Sequence, residues 1–214
     1  MIPGFHGGAC LDQAGAPVIF RPMVVDLMAE VFIVHGSYGS PEENWFPWLK
    51  SELEKAGCWV HAPRFPTPRG QSLASWTRVF ASFEGTLKDD AVFIGHSVGC
   101  AFILSLLEKL ERPARAAFLV AGWTGSLGIP RFDSINRSFA ERQFDWDRIR
   151  AGCRQFHVYA SDNDPYVPLG LSASLAKNLG AQLNLIKRAG HFNDAAGYKR
   201  FGVLLGDVME ALRG

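Results

Sequence analysis

Residues 91–99 read Ala-Val-Phe-Ile-Gly-His-Ser-Val-Gly, and a long apolar-periodic segment runs from Val98 to Leu110. The apolar run, the glycine-flanked turn and the periodic segment predict a strand, a tight turn and a helix. Ser97 stands at the turn, so its hydroxyl would be presented at the carboxyl edge of a sheet, above a helix N-terminus. The pattern G-x-S-x-G alone would arise by chance in roughly one sequence of this composition in seven. Its place between a strand and a helix makes Ser97 a candidate nucleophile.

Strands and helices alternate along the rest of the chain. This alternation predicts right-handed βαβ units, and therefore an α/β fold with a mainly parallel central sheet and helices on both faces. In such a sheet, ligands bind at the carboxyl ends of the strands. The expected strands cover residues 31–34, 58–62, 91–94, 116–121, 155–160 and 182–186, and the later helices cover residues 72–83, 98–110, 169–179 and 198–212.

The first helix has the clearest start signal in the chain. Ser40-Pro41-Glu42-Glu43 predicts an N-cap at Ser40, with proline at the first helical position and a glutamate placed for a capping box. Gly57 predicts the end of this helix. Residues 122–145 lack a clean period, and we expect them to form a cap over a site, with a short helix at most.

Composition excludes several function classes. The chain has 214 residues, of which 48% are hydrophobic and 20% charged, and its formal net charge is +1. Lysines and arginines are scattered, so we expect no nucleic-acid partner and no membrane partner. We expect one domain over residues 30–214. Residues 1–29 form an extension of unknown role without the pattern of a signal peptide, and the expected location is the cytoplasm.

The cysteines and histidines show no metal-ligand spacing. Because the cysteines are far apart in sequence, we expect reduced thiols and neither metal nor cofactor. Asn136-Arg137-Ser138 matches a glycosylation acceptor, which the expected location leaves unused. The four cysteines are Cys10, Cys58, Cys100 and Cys153.

A serine nucleophile needs a base, and the base needs a carboxylate that fixes its tautomer. Asp162 and Asp164 both follow the strand at residues 155–160, and His191 follows the strand at residues 182–186. The order Ser, Asp, His along the chain is the order found on α/β-hydrolase sheets. The residues alone leave open which aspartate serves.

At these motifs the chain resembles the α/β-hydrolase superfamily. Within it, the chain is similar to the small serine hydrolases typified by retinoblastoma-binding protein nine. The resemblance implies the α/β-hydrolase fold, a three-layer sandwich, from about Val31 to the C-terminus. The residues that carry it are Val34-His35-Gly36-Ser37, Trp45 to Leu49, the Pro-rich loop that leads to Trp76, Gly95 to Gly99, Asp164-Pro165-Tyr166-Val167-Pro168 and Gly190-His191-Phe192.

By that resemblance, Ser97 is the nucleophile, Asp164 the orienting carboxylate and His191 the base. Asp164 fits the Asp-x-x-Val-Pro position of the family, whereas Asp162 does not and is expected to form a turn. His96, next to the nucleophile, is expected to pack or form hydrogen bonds in a structural role.

The oxyanion hole should consist of two backbone N–H groups. One belongs to Val98, and the other to Ser37 or to its neighbour Tyr38. His35, Tyr38 and Trp123 are the candidate residues of the substrate pocket. For His35 a structural role, and for Trp123 packing within the cap, are the alternative interpretations.

These features predict a serine hydrolase that cleaves a small carboxylic ester or a related acyl substrate through an acyl-enzyme intermediate. Two alternatives stay open: an interaction module on a hydrolase scaffold, and an amidase or peptidase that uses the same triad. Relatives that bind retinoblastoma-type pockets carry a Leu-x-Cys-x-Glu segment. None of the cysteines here lies in that context, so the resemblance does not extend to that partner.

Overall fold

The computed structural model describes residues 28–87 and 89–214, so nearly all of the predicted extension lies outside the described residues. The strands of this part are β1 Glu30–Val34, β2 Trp59–His61, β3 Val92–His96, β4 Ala114–Val120, β5 Cys153–Ser161 and β6 Leu183–Ile186. They form one sheet in the order β2-β1-β3-β4-β5-β6. Every neighbouring pair is parallel, which confirms the predicted sheet.

Helices cover both faces of this sheet, because successive side chains of each strand point to opposite sides. The helices are α1 Phe46–Lys55, α2 Leu73–Phe80, α3 Val98–Leu107, α4 Pro130–Ala140, α5 Trp146–Ala151, α6 Leu169–Leu179 and α7 Gly202–Arg213, with 3-10 turns at Ala81–Thr86 and Asp194–Ala196. In β1, Val31 and Ile33 share a buried cluster with residues of α1 and α7, whereas Phe32 and Val34 share the opposite cluster with residues of α2, α3 and α6. The predicted three-layer sandwich is therefore confirmed.

The predicted start of the first helix at Ser40 is wrong, since α1 begins at Phe46. Asn44 has a φ of 55°, a left-handed conformation that no right-handed helix contains. Its side chain is occupied by a distant contact, because Oδ1 accepts a hydrogen bond of 2.8 Å from the Asp194 backbone N–H. Residues 40–45 therefore form turns that border the site described below.

The segment at residues 122–145 contains a regular helix, α4, of 11 residues. Its buried face consists of Asn136, Phe139 and Ala140. An asparagine in the middle of the buried face interrupts the apolar period, which is why the pattern of the sequence did not reveal this helix. No helix in the described part of the chain has the length and hydropathy needed to cross a membrane.

Candidate active site

Ser97 lies on a sharp turn between β3 and α3. Its φ is 59° and its ψ is −128°, which is a strained conformation for a residue with a side chain. The Ser97 backbone N–H donates to the Val120 carbonyl at 2.9 Å, which fastens the turn to the end of β4. The strain is thus held by the sheet, and the hydroxyl is presented to a cavity above the strand ends.

Three glycines make this turn sterically possible. A Cβ on Gly99 would lie 2.5 Å from the Val34 carbonyl oxygen, and one on Gly95 would lie 2.7 Å from a methyl of Ile103. A Cβ on Gly36 would lie 2.8 Å from the Cβ of Ser97 and 3.3 Å from its hydroxyl. The first two glycines allow close packing of helix on strand, and Gly36 leaves the space beside the candidate nucleophile open.

His191 and Asp164 are in direct contact. His191 Nδ1 lies 2.8 Å from Asp164 Oδ2, and the two side chains are 9% and 3% exposed. The other carboxylate oxygen, Oδ1, accepts hydrogen bonds from the backbone N–H groups of Tyr166 at 2.9 Å and Val167 at 3.1 Å. Both oxygens are therefore fixed, and this contact favours the imidazole tautomer that carries a proton on Nδ1.

The residues just before Asp164 brace the loop that carries His191. Asp162 Oδ1 accepts from the Arg188 N–H at 2.7 Å, Asn163 Oδ1 from the Gly190 N–H at 2.8 Å, and Ser161 Oγ from the Ala189 N–H at 2.9 Å. The Asp162 side chain is thus committed to backbone, whereas Asp164 faces the imidazole.

Ser97 and His191 line the same cavity. No hydrogen bond joins the Ser97 hydroxyl to the imidazole among the contacts of residues 28–87 and 89–214. In apo structures such contacts are often long and tighten when substrate binds.

His96 is a structural neighbour of this pair, as expected. Its Nε2–H donates to the His191 carbonyl at 2.8 Å, and the two rings lie 4.8 Å apart. Burial, assisted by repulsion from His191, lowers the pKa of His96 to about 3. His96 is therefore neutral at ordinary pH, and its Nε2–H holds the backbone carbonyl of His191 in place.

The contacts of Ser37 and Tyr38 separate the two candidates for the second oxyanion donor. The Tyr38 N–H donates to Thr67 Oγ1 at 2.7 Å, so it is already used. The Ser37 N–H has no hydrogen-bond partner within the described part of the chain, and Ser37 lines the cavity together with Ser97. Val98 opens α3, where backbone N–H groups lack partners inside the helix.

A cavity of about 380 Å³ opens above Ser97. Tyr38 and Trp123, both predicted pocket residues, line it. His35, the third, lies behind the loop instead: it is 1% exposed, its Nε2 accepts from the Phe65 N–H at 3.0 Å, and its Nδ1–H donates to the Gly36 carbonyl at 2.8 Å. His35 therefore holds the loop of Gly36 and Ser37 in place and does not face the cavity.

Residues of the segment 122–145 form part of the cavity wall. Phe132 of α4 makes edge contacts with Tyr38 at 5.9 Å and with Tyr166 at 5.4 Å, and Tyr166 in turn contacts the His191 ring at 5.0 Å. Asn136, on the same helix, also lines the cavity. The segment thus contributes residues to the cavity that Ser97 and His191 also line.

Sequence reasoning missed Phe132, Asn136 and Gln71 as residues of the site or its support. The only pattern at Asn136 was the glycosylation match, but that side chain is 3% exposed. No sequence pattern distinguished Gln71, which reaches Asn136 and Ser37 from a loop. Within the described residues, no group of three or more His, Cys, Asp or Glu side chains is placed to hold a metal ion.

The chain is similar to proteins of one family in sequence and in structure. A family model described as serine hydrolase matches residues 31–206. YdeN of Bacillus subtilis is 31% identical over 171 residues, which cover 79% of this chain and 88% of YdeN. The serine hydrolase RBBP9 of Rattus norvegicus is 26% identical over 185 residues, 84% of this chain and 96% of RBBP9. The crystal structure of YdeN superposes with a TM-score of 0.81 at 28% identity, covering 87% of this chain and all of that chain.

Proposed function

This chain belongs to the serine hydrolase family, and we propose that it cleaves a small carboxylic ester through a triad of Ser97, His191 and Asp164. The contact of 2.8 Å between His191 Nδ1 and Asp164 Oδ2, beside a cavity shared with Ser97, carries the proposal. The family match alone supports hydrolase chemistry, whereas this geometry supports the roles of the individual residues.

The proposed reaction has two halves. In the first, Ser97 Oγ attacks the ester carbonyl while His191 Nε2 takes the hydroxyl proton, and the resulting oxyanion accepts hydrogen bonds from the Val98 and Ser37 N–H groups. Collapse of the tetrahedral intermediate expels the alcohol, which receives its proton from His191. In the second half, water attacks the acyl-enzyme with His191 again as base, and the acid is released.

The volume of the cavity supports a substrate with a short acyl group. Its volume of about 380 Å³ is near the lower end for small-molecule sites, and Trp123, Leu127 and Phe132 supply apolar wall. An open cavity beside Ser97 also favours catalysis over the alternative of an interaction module, in which we would expect this space to be filled.

Hydrolysis of p-nitrophenyl esters of graded chain length tests the proposal. We expect turnover to be highest for acetate to butyrate, and Ser97→Ala to lower kcat by about 10⁵-fold or more while the thermal unfolding midpoint stays near that of wild type. A fluorophosphonate probe should label wild type at Ser97. Turnover retained in Ser97→Ala, or labelling elsewhere, would refute the assignment.

A matched anilide of the preferred acyl group separates ester from amide cleavage. We expect the ester to be cleaved and the anilide to be cleaved far more slowly or not at all. Comparable rates on both would favour the amidase alternative, which uses the same triad.

A further inference from the structure

Asn136 is a buried polar side chain inside the candidate active site. It lies on α4, is 3% exposed and lines the cavity that also contains Ser97. A buried carboxamide has a carbonyl oxygen and two N–H donors to satisfy. Which of these groups faces the cavity decides what the residue offers to a substrate.

A chain of hydrogen bonds that starts at a backbone donor fixes the orientation of the carboxamide. The Tyr38 N–H donates to Thr67 Oγ1 at 2.7 Å, and the Thr67 hydroxyl donates to Gln71 Oε1 at 2.5 Å. With its oxygen turned to Thr67, Gln71 donates through Nε2 to Asn136 Oδ1 at 2.7 Å. The carboxamides of Gln71 and Asn136 are thereby both oriented.

Asn136 Oδ1 also accepts a second hydrogen bond, of 2.6 Å, from the Ser37 hydroxyl. The oxygen is thus saturated, and the NH2 group is the remaining polar part of the residue. This NH2 has no partner among the described residues. An unpaired amide donor with no access to ligand or water would be costly, so the NH2 is the group directed at the cavity.

We propose that Asn136 is a substrate-binding residue whose NH2 donates to an oxygen in the acyl chain, which makes the enzyme selective for acyl groups with an acceptor close to the carbonyl. The inference rests on the proposed function. During reaction the leaving oxygen faces His191 and the carbonyl oxygen faces Ser37. Because Asn136 Oδ1 accepts a hydrogen bond from the Ser37 hydroxyl, we expect the Asn136 NH2 to face the acyl part of the ester.

The expected discrimination arises from the unpaired donor. With an all-carbon chain, the Asn136 NH2 would be shut against apolar groups such as Leu127 and Phe132 without a partner. A site built to bond a substrate acceptor rejects the analogue that lacks it for this reason. One neutral hydrogen bond corresponds to about a tenfold preference.

p-Nitrophenyl methoxyacetate and p-nitrophenyl butyrate test this preference, because their acyl chains differ by one ether oxygen in place of one CH2. The readout is the ratio of their kcat/KM values, divided by the ratio of their hydroxide rates to remove intrinsic reactivity. We expect wild type to favour methoxyacetate by about tenfold on this scale.

Three variants locate the source of the preference. Asn136→Asp keeps an acceptor for Ser37 and Gln71 but has no donor, and Asn136→Ala removes the donor without adding charge. We expect both to bring the corrected ratio to about one. Gln71→Ala removes the donor that orients the Asn136 carboxamide, so we expect it to slow both esters and to lower the ratio toward one.

A corrected ratio that stays at the wild-type value in both Asn136 variants overturns the inference. A wild-type ratio in Gln71→Ala would show that the network does not orient the carboxamide and would overturn it too. If wild type cleaves neither ester, or if Ser97→Ala still cleaves them, the proposed function itself fails. Ser97-dependent cleavage of both esters with an indifferent Asn136 refutes only the inference.

Discussion

The cavity has two walls that are built in different ways. The sheet wall comprises Ser97 and His191, which follow β3 and β6, and it is supported by Asp164, which follows β5 and contacts His191. The cap wall comprises Trp123, Leu127, Phe132 and Asn136, which come from a segment without strands. Backbone groups of the sheet wall are held directly: the Ser97 N–H by the Val120 carbonyl, and the loop of His191 by side-chain oxygens of residues 161–163. The cap wall contacts the rest of the site through side chains such as Phe132 and Asn136.

From this difference we expect the sheet wall to carry out the reaction and the cap wall to select the substrate. Reacting groups need positions that are fixed to within a fraction of an ångström, and strand ends in a packed sheet supply them. A helix attached by aromatic edges and a few polar contacts can change its residues without moving the sheet. We therefore expect changes in the sheet wall to remove activity and changes in the cap wall to redistribute it among substrates.

The largest effect is expected at Asp164. Asp164→Asn should lower kcat by about 10⁴-fold, because an amide cannot hold the imidazole in the same tautomer or stabilise its cation. Asp162→Asn is the matched control: its Oδ1 can still accept from the Arg188 N–H, so we expect nearly wild-type turnover of p-nitrophenyl acetate. The reverse ranking of the two variants would break the assignment of the acid.

Gly36 lies at the junction of the two walls and should give the next largest effect. Gly36→Ala places a methyl 2.8 Å from the Cβ of Ser97 and 3.3 Å from its hydroxyl. We expect kcat to fall about 100-fold through misplacement of the nucleophile. Gly206→Ala, on α7 with nothing near its added methyl, should keep full activity in the same assay. Equal activity of both variants would show that Gly36 does not shape the site.

The buried His96 should make the free energy of unfolding depend on pH. Its pKa of about 3 in the folded state lies below the ordinary value of 6.5, so the unfolded chain binds more protons between these limits. The contribution of His96 to the free energy of unfolding should therefore be fully present above pH 6.5. Below that pH it should fall by up to about 1.4 kcal/mol per pH unit. His96→Gln should flatten this slope in denaturant titrations at pH 7 and pH 5. Identical slopes would contradict the burial argument.

The smallest effect is expected in the cap wall. Phe132→Ala should lower kcat/KM for p-nitrophenyl butyrate about fivefold more than for the acetate, because only the longer chain uses that apolar surface. Phe144→Ala removes an aromatic ring of the same segment that packs against Trp146 and Arg142 away from the cavity, and it should leave the ratio unchanged. Loss of all activity in Phe132→Ala would contradict the expectation that the sheet wall carries out the reaction and the cap wall only selects the substrate.

The predictability of the molecule follows the same division. The strands and the turn at Ser97 were predictable because a strand buried on both faces needs a continuous apolar run, which is visible locally. The first helix failed at Ser40, although its capping signal was strong, because Asn44 adopts a left-handed conformation and bonds to Asp194 across 150 positions. Local propensity could not foresee a partner so distant in sequence.

Several site residues were open to sequence reasoning only as alternatives. For the second oxyanion donor the sequence favoured Ser37 with Tyr38 as the alternative, and the bond from the Tyr38 N–H to Thr67 Oγ1 supports Ser37. His35 was placed in the pocket, yet its two ring nitrogens are both used to hold the loop. In each case a hydrogen bond formed in the folded chain made the choice, and no local pattern encodes such a bond.

The layered fold, the serine at the turn between β3 and α3, and the order Ser, Asp, His along the chain could be read from the residues alone, since they depend on periodicity and on residues that follow strands. Folding was needed to show that the Ser37 N–H stays unused, what α4 presents to the cavity and how the Asn136 carboxamide is oriented. These features depend on hydrogen bonds between groups from distant parts of the chain, so they exist only in the folded molecule.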